Sequence, residues 1–212
     1  GLLSTGRFPV IGVSNPKSAA GLAGLTSGDV ITLVNGHDVK TWEDVQYQLQ
    51  AAKLAGTKTL EIGLVSKSLD DWISASQSRS AAVNPDTLKG RVDKRITLTQ
   101  YDLETAGIFS SELFVAMSVP GSAAEKIGLQ KGDRLFDVNG RRLQSFYQFR
   151  DEVRLAGENN QDLSLSFERD GVVLTKSIKP TLHKNESARG AEKQLKQYVV
   201  GIFPVLIETE PN

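Results

Sequence analysis

Two stretches of this chain repeat one another without a gap. Ser14 to Gly36 reads SNPKSAAGLAGLTSGDVITLVNG, and Ser118 to Gly140 reads SVPGSAAEKIGLQKGDRLFDVNG. The offset is 104 throughout, and 12 of the 23 positions are identical. A period of about a hundred residues is too long for a solenoid unit and suits a small domain. The repeat therefore predicts two sibling domains, and 212 residues are enough for both.

The second copy gives the expected element order. The apolar run Leu113 to Val119 reads as a buried strand. Pro120-Gly121 marks a turn. Ser122 then caps a short helix over 123–127, with Glu125 placed to complete a capping box. Gly128 ends that helix, because a left-handed residue there suits a side chain without Cβ. Lys131-Gly132-Asp133 turns into a strand over 134–138, and Asn139-Gly140 is a hairpin signal. Ser145 caps a second helix on which Phe146, Phe149 and Val153 share one face. Thr41, Trp42, Val45 and Leu49 are the first copy's equivalents. A strand pair closes the second copy, over 163–167 and 172–175 around Arg169-Asp170-Gly171. In the first copy, 60–65 and 95–99 match it, separated by a polar, Ser-rich excursion over about 67–94 with Trp72 as its one large aromatic. That excursion is expected to be a mobile insertion. Gln100 to Glu104 reads as a connector, 182–196 as part linker and part helix, and 198–207 as a final strand.

Composition excludes several functions. Lys+Arg and Asp+Glu balance at 25 each, which leaves no electrostatic footprint for nucleic acid. Without Cys there are no disulfides, thiolate metal sites or Cys nucleophile. No apolar run approaches the ~18 residues of a membrane span. The chain opens in the apolar stretch Gly1-Leu2-Leu3 with no signal peptide, and its one Met is Met117, so it is expected to be excised from something longer. His37 and His183 read as solvated surface residues, and neither metal-ligand spacing nor G-x-S-x-G occurs. Asp29 and Asp133 match across the copies as turn residues that bond local N–H groups.

The order strand, short helix, strand, NG turn, helix and hairpin, with P-x-S-A-A, G-L-x-x-G-D and V-N-G in both copies, resembles a PDZ domain in the circularly permuted arrangement common in bacteria. The resemblance implies an α+β, mainly β fold. It would hold two circularly permuted PDZ domains in tandem, each a small β-sandwich or partly open barrel with two helices. The boundaries expected are 1–100 for the first domain, including the insertion, 105–181 for the second, and 182–212 for a C-terminal linker and strand.

Gly107-Ile108-Phe109 returns later as Gly201-Ile202-Phe203-Pro204. A PDZ pair with such a trailing strand resembles the extracytoplasmic segment of bacterial site-2 proteases of the RseP type, which are intramembrane zinc metalloproteases. Their H-E-x-x-H motif is absent from this chain. The resemblance thus implies a segment without catalytic residues or cofactor, with zinc in a membrane domain of the parent. It also implies a place on the periplasmic side of the inner membrane. The implied partners are proteins or peptides, either hydrophobic C-termini or membrane-protein ectodomains, and not nucleic acid. A PDZ pair of an HtrA-type serine protease, or a scaffold without proteolysis, is the alternative.

PDZ modules bind an extended C-terminus by strand addition, with a Gly-containing loop aiming N–H groups at the carboxylate. By resemblance, Thr105, Ala106, Gly107, Ile108 and Phe109 are the loop and edge strand of the second domain. Phe146, Arg150 and Val153 line the helix side of its groove. In the first domain the loop would be Gly1, Leu2 and Leu3, with Trp42 filling the pocket. The second domain is expected to be the better peptide binder.

Overall fold

The computed structural model describes residues 6–77, 82–184 and 196–210. The chain divides into two compact units, Gly1–Glu112 with Val205–Asn212, and Leu113–Pro204. The second unit is thus inserted into the first, and the chain passes between them at residues 112–113 and again at 204–205.

In the first unit, strand β1 (Ile11–Gly12) leads to helix α1 (Ala19–Leu22). Ser18 caps α1 by accepting from the Gly21 N–H. Strands β2 (Val30–Val34) and β3 (His37–Asp38) form a hairpin across Asn35-Gly36, both at positive φ, as the NG signal requires. Helix α2 (Trp42–Leu54) starts from a complete capping box of Thr41 and Asp44. Strand β4 (Leu60–Val65) follows, and with β6 (Lys94–Leu98) it completes a sheet of order β3-β2-β4-β6. Helix α3 (Leu69–Gln77) and strand β5 (Ala82–Val83) lie between them. Strand β7 (Phe109–Ser110) pairs antiparallel with β1.

The second unit repeats this plan. Strand β8 (Val115–Ser118) leads to helix α4 (Ala123–Lys126), capped by Ser122. Strands β9 (Arg134–Val138) and β10 (Arg141–Arg142) flank Asn139-Gly140, again at positive φ. Helix α5 (Phe146–Glu158), capped by Ser145, precedes strands β11 (Leu163–Arg169) and β12 (Val172–Ile178). The sheet order is β10-β9-β11-β12. Strands β13 (Thr181–Lys184) and β14 (Lys196–Val199) pair, and β15 (Ile202–Pro204) pairs with β8. The chain then re-enters the first unit as β16 (Glu208–Thr209), parallel to β5. Val205 and Ile207 are buried there, and the Ile207 carbonyl accepts from Phe8 N–H at 2.8 Å.

Each unit has its own core. Ile31, Val45, Leu60, Ile62 and Leu64 centre the first, and Leu135, Phe149, Leu165 and Phe167 the second. The matched aspartates are both buried and solve one problem with different cations. Asp29 accepts from Thr26 and Lys67 N–H groups and pairs with Lys94 at 2.7 Å. Asp133 accepts from Gln130 N–H and takes the Arg169 guanidinium on both oxygens, at 2.7 and 2.6 Å. That bidentate contact holds Arg169 protonated beyond its ordinary range.

Three sequence expectations are corrected. The excursion is built, not loose, over its described residues: Trp72 on α3 is buried, donates to the Gly28 carbonyl at 2.7 Å and meets Phe8 edge-on. Residues 100–104 are no connector between domains, since the first unit continues to residue 112. The expected second domain, 105–181, gives its first eight residues to the first unit and gains 182–204. Residues 185–195, inside the expected linker, lie outside the described residues.

Candidate peptide-binding site

Thr105 to Phe109 belong to the first unit, not the second. Phe109 pairs with Gly12 on β1, and Ile108 is fully buried in the first core. Gly107 has φ +87°, and a Cβ there would overlap the side chain of Ser18. The neighbouring Ala106 carbonyl accepts from Ala20 N–H, at the start of α1, at 2.8 Å.

The second unit builds the same corner from Val200, Gly201 and Ile202. Gly201 has φ +86°, and a Cβ there would lie 2.5 Å from Ser122 Oγ. The Val200 carbonyl accepts from Ala124 N–H, at the start of α4, also at 2.8 Å. The repeated G-I-F carried this signal in the sequence. The first copy precedes the second domain in sequence, yet each copy completes the unit it follows.

The two corners differ in their amides. In the first unit, Ala106 and Ile108 N–H groups donate to the Leu103 carbonyl at 3.1 and 2.9 Å, and Gly107 N–H donates to Glu104 at 2.9 Å. Asp102 tightens that turn by accepting from Glu104 N–H and the Thr105 hydroxyl. All three loop amides are therefore used internally. In the second unit the corresponding stretch is strand β14, which offers no such turn. Among the described residues, Val200 and Gly201 N–H groups have no acceptor. The parity of the ladder extends this to Ile202. Val119 N–H donates to the Gly201 carbonyl, so the next pair, Ile202 with Ser118, is of the kind that does not exchange bonds. Its N–H and C=O point away from β8, toward an edge on which no described strand pairs. Unpaired backbone donors are rare in folded proteins, and consecutive ones form an anion-binding concavity.

Helix α5 carries the residues expected on the other wall. Phe146 is half-buried and rests on Phe149 with ring centroids 5.6 Å apart. Val153 is 3 % exposed and belongs to the core, so it is not a groove side chain as expected. Arg150 is exposed. Gly157, near the end of α5, packs against Tyr198 of β14, next to the loop. Phe203 on β15 is 54 % exposed, and alternation along the strand puts it on the face opposite Ile202, which packs on the core. Trp42, the first-unit counterpart of Phe146, is buried in its core. Gly1, Leu2 and Leu3 lie outside the described residues. Among the described residues no three His, Cys, Asp or Glu side chains gather as metal ligands, and no helix is long and apolar enough to cross a membrane.

A permuted strand order, a glycine corner and an open edge beside a helix define the class. Residues 114–169 match the PDZ domain family model. The chain is 30% identical over 173 residues to Protease RseP of Yersinia pestis, covering 81% of this chain and 36% of that protein. It is 29% identical over 198 residues to the Regulator of sigma-E protease RseP of Salmonella typhimurium, covering 87% and 39%. A Neisseria meningitidis protein named as a zinc metalloprotease is 30% identical over 178 residues, with 81% and 35% covered. Residues 114–169 thus carry a PDZ domain, and the similar proteins are RseP proteases and proteins named as zinc metalloproteases. The chain spans little more than a third of the length of the curated relatives it matches.

Proposed function

We infer that this chain is the regulatory PDZ segment of a site-2-type zinc metalloprotease, and that its second unit captures extended C-terminal tails. The observation that carries the reading is the run of amides at Val200, Gly201 and Ile202 without an acceptor, beside an unpaired edge. A peptide carboxylate supplies the missing acceptor. Upstream residues then add to β15 as an antiparallel strand, with Ile202 making the ladder bonds and Phe146 offering apolar contact. Short-peptide strand addition of this kind reaches affinities near micromolar, about −8 kcal/mol. The first unit has spent its loop amides internally and contributes bulk.

In the parent protein the pair stands on the extracytoplasmic side of the bacterial inner membrane, above a membrane-embedded zinc site. It admits membrane-anchored substrates once another protease has trimmed their ectodomains, and the trimmed end is what the groove takes. Similarity to RseP over most of the chain supports this parentage. H-E-x-x-H is absent from the chain, so no step through zinc is assigned to these residues. The alternative parent, an HtrA-type protease, would require a trypsin-like domain upstream, and a scaffold would require neither protease; the relatives' names favour the first reading.

The test is a titration of the chain with fluorescent peptides of one sequence ending in an apolar residue, as free acid and as amide. The free acid should bind saturably and the amide at least about tenfold more weakly, because the amide forfeits a charge-assisted contact. Equal binding rejects carboxylate capture, and no saturable binding of either peptide leaves only exclusion by bulk.

A further inference from the structure

We propose that the groove of the second unit prefers tails with an acidic side chain two or three residues before the last, and that Arg150 reads it. The inference rests on the groove assigned above and names the class of tail it takes.

Arg150 differs from the other described arginines of its unit. Arg141 pairs with Glu152, Arg154 with Asp151 and Glu158, Arg169 with Asp133, and Arg134 with Glu168. Arg142 lies over the Phe136 ring. Arg150 has no carboxylate, carbonyl or ring partner among the described residues. Its neighbours on the helix surface at i±3 and i±4 are Phe146, Tyr147, Val153 and Arg154, none acidic. The nearest acids in sequence, Asp151 and Glu152, are already engaged.

The position of Arg150 sets the register. Phe146, Arg150, Val153 and Gly157 follow at i, i+4, i+7 and i+11, a single stripe of α5. Gly157 packs on Tyr198, which places the end of that stripe beside the chain entering the Val200–Gly201 loop. Phe146 and Ile202 pack on the same core. A tail antiparallel to β15 has its carboxylate at the loop, and its earlier residues run back along α5. Seven residues of helix separate Gly157 from Arg150, about 10 Å at 1.5 Å per residue. An extended chain covers that in about three residues at roughly 3.3 Å each. A guanidinium reaching from Arg150 therefore meets the side chain two or three places before the terminus. The equivalent residue of the first unit is Gln46, without charge.

The experiment uses the whole chain and free-acid peptides of one sequence, with Asp against Asn scanned over the four positions before the last residue, read by fluorescence anisotropy. Asp two or three places from the end should bind about two- to fivefold tighter than Asn, with the ratio shrinking as salt is added. The Asp/Asn ratio should fall to about one in Arg150→Gln and invert in Arg150→Glu. A ratio of one in the unaltered chain, with free-acid peptides still binding, overturns the acidic preference and leaves carboxylate capture standing. A preference that survives Arg150→Gln also overturns it. Failure of every free-acid peptide to bind rejects both readings.

Discussion

Replacing Gly157 with alanine sets local propensity against packing. Glycine in a helix interior costs up to about 1 kcal/mol relative to alanine, so propensity alone predicts a more stable protein. The structure predicts the opposite sign. Gly157 is buried, and an added Cβ would overlap the Tyr198 ring and lie 2.6 Å from Tyr198 Cβ. Carbon atoms rest at about 3.5–4.0 Å, so roughly 1 Å of movement is needed. Turning the ring cannot supply it, because Tyr198 Cβ is fixed to strand β14. The strand itself must shift. Overpacking that moves backbone costs about 3 kcal/mol at the upper end of its usual range, which leaves a net loss of about 2 kcal/mol after the propensity gain. With a urea m-value of about 2 kcal/mol/M, the midpoint followed by far-UV circular dichroism should fall by about 1 M. Both tryptophans, Trp42 and Trp72, lie in the first unit, so the native emission spectrum should not change. Because β14 leads directly into the Val200–Gly201 loop, affinity for a free-acid peptide should fall as well. In a Tyr198→Gly background the added methyl should become neutral or stabilising. A Gly157→Ala protein as stable as the parent would refute the packing argument.

Gly107→Ala and Gly201→Ala should each destabilise by about 2 kcal/mol or more, since both sites hold positive φ and crowd a cap serine. Only Gly201→Ala should lower peptide affinity, by at least about tenfold in anisotropy titrations; a matching loss from Gly107→Ala would move the site to the first unit. Arg169→Ala leaves the buried Asp133 with one backbone donor and should cost about 2 kcal/mol in thermal unfolding, discounted because Arg169 is partly exposed. Lys94→Ala should cost less, because Asp29 keeps two backbone donors, and a larger loss would contradict that accounting. The Ser68 N–H bonded to Asp71 holds that carboxyl below its ordinary value. Its contribution is therefore present above about pH 4 and lost as pH falls further, so the stability gap between the parent and Asp71→Asn should close below pH 4; a gap constant with pH contradicts this role of the Ser68 bond.

What could be read from residues alone was local. Asn35-Gly36 and Asn139-Gly140 turn where they do because both residue types tolerate positive φ, and Ser18, Thr41, Ser122 and Ser145 start helices because a nearby oxygen satisfies the first amides. Two such grammars at a fixed offset imply two modules. Which module owns a given strand is a different kind of fact. Ala106-Gly107-Ile108-Phe109 and Val200-Gly201-Ile202-Phe203 are near copies, and either could complete either unit by composition. Pairing with β1 or β8 decided it, and pairing is a non-local contact that no sequence window contains. The same holds for the amides. Whether a loop N–H is free or already bonded depends on the turn at 102–105 in one unit and on its replacement by β14 in the other. Trp72 shows the reverse limit: a polar, Ser-rich stretch reads as loose until one buried indole finds the Gly28 carbonyl and holds its helix down.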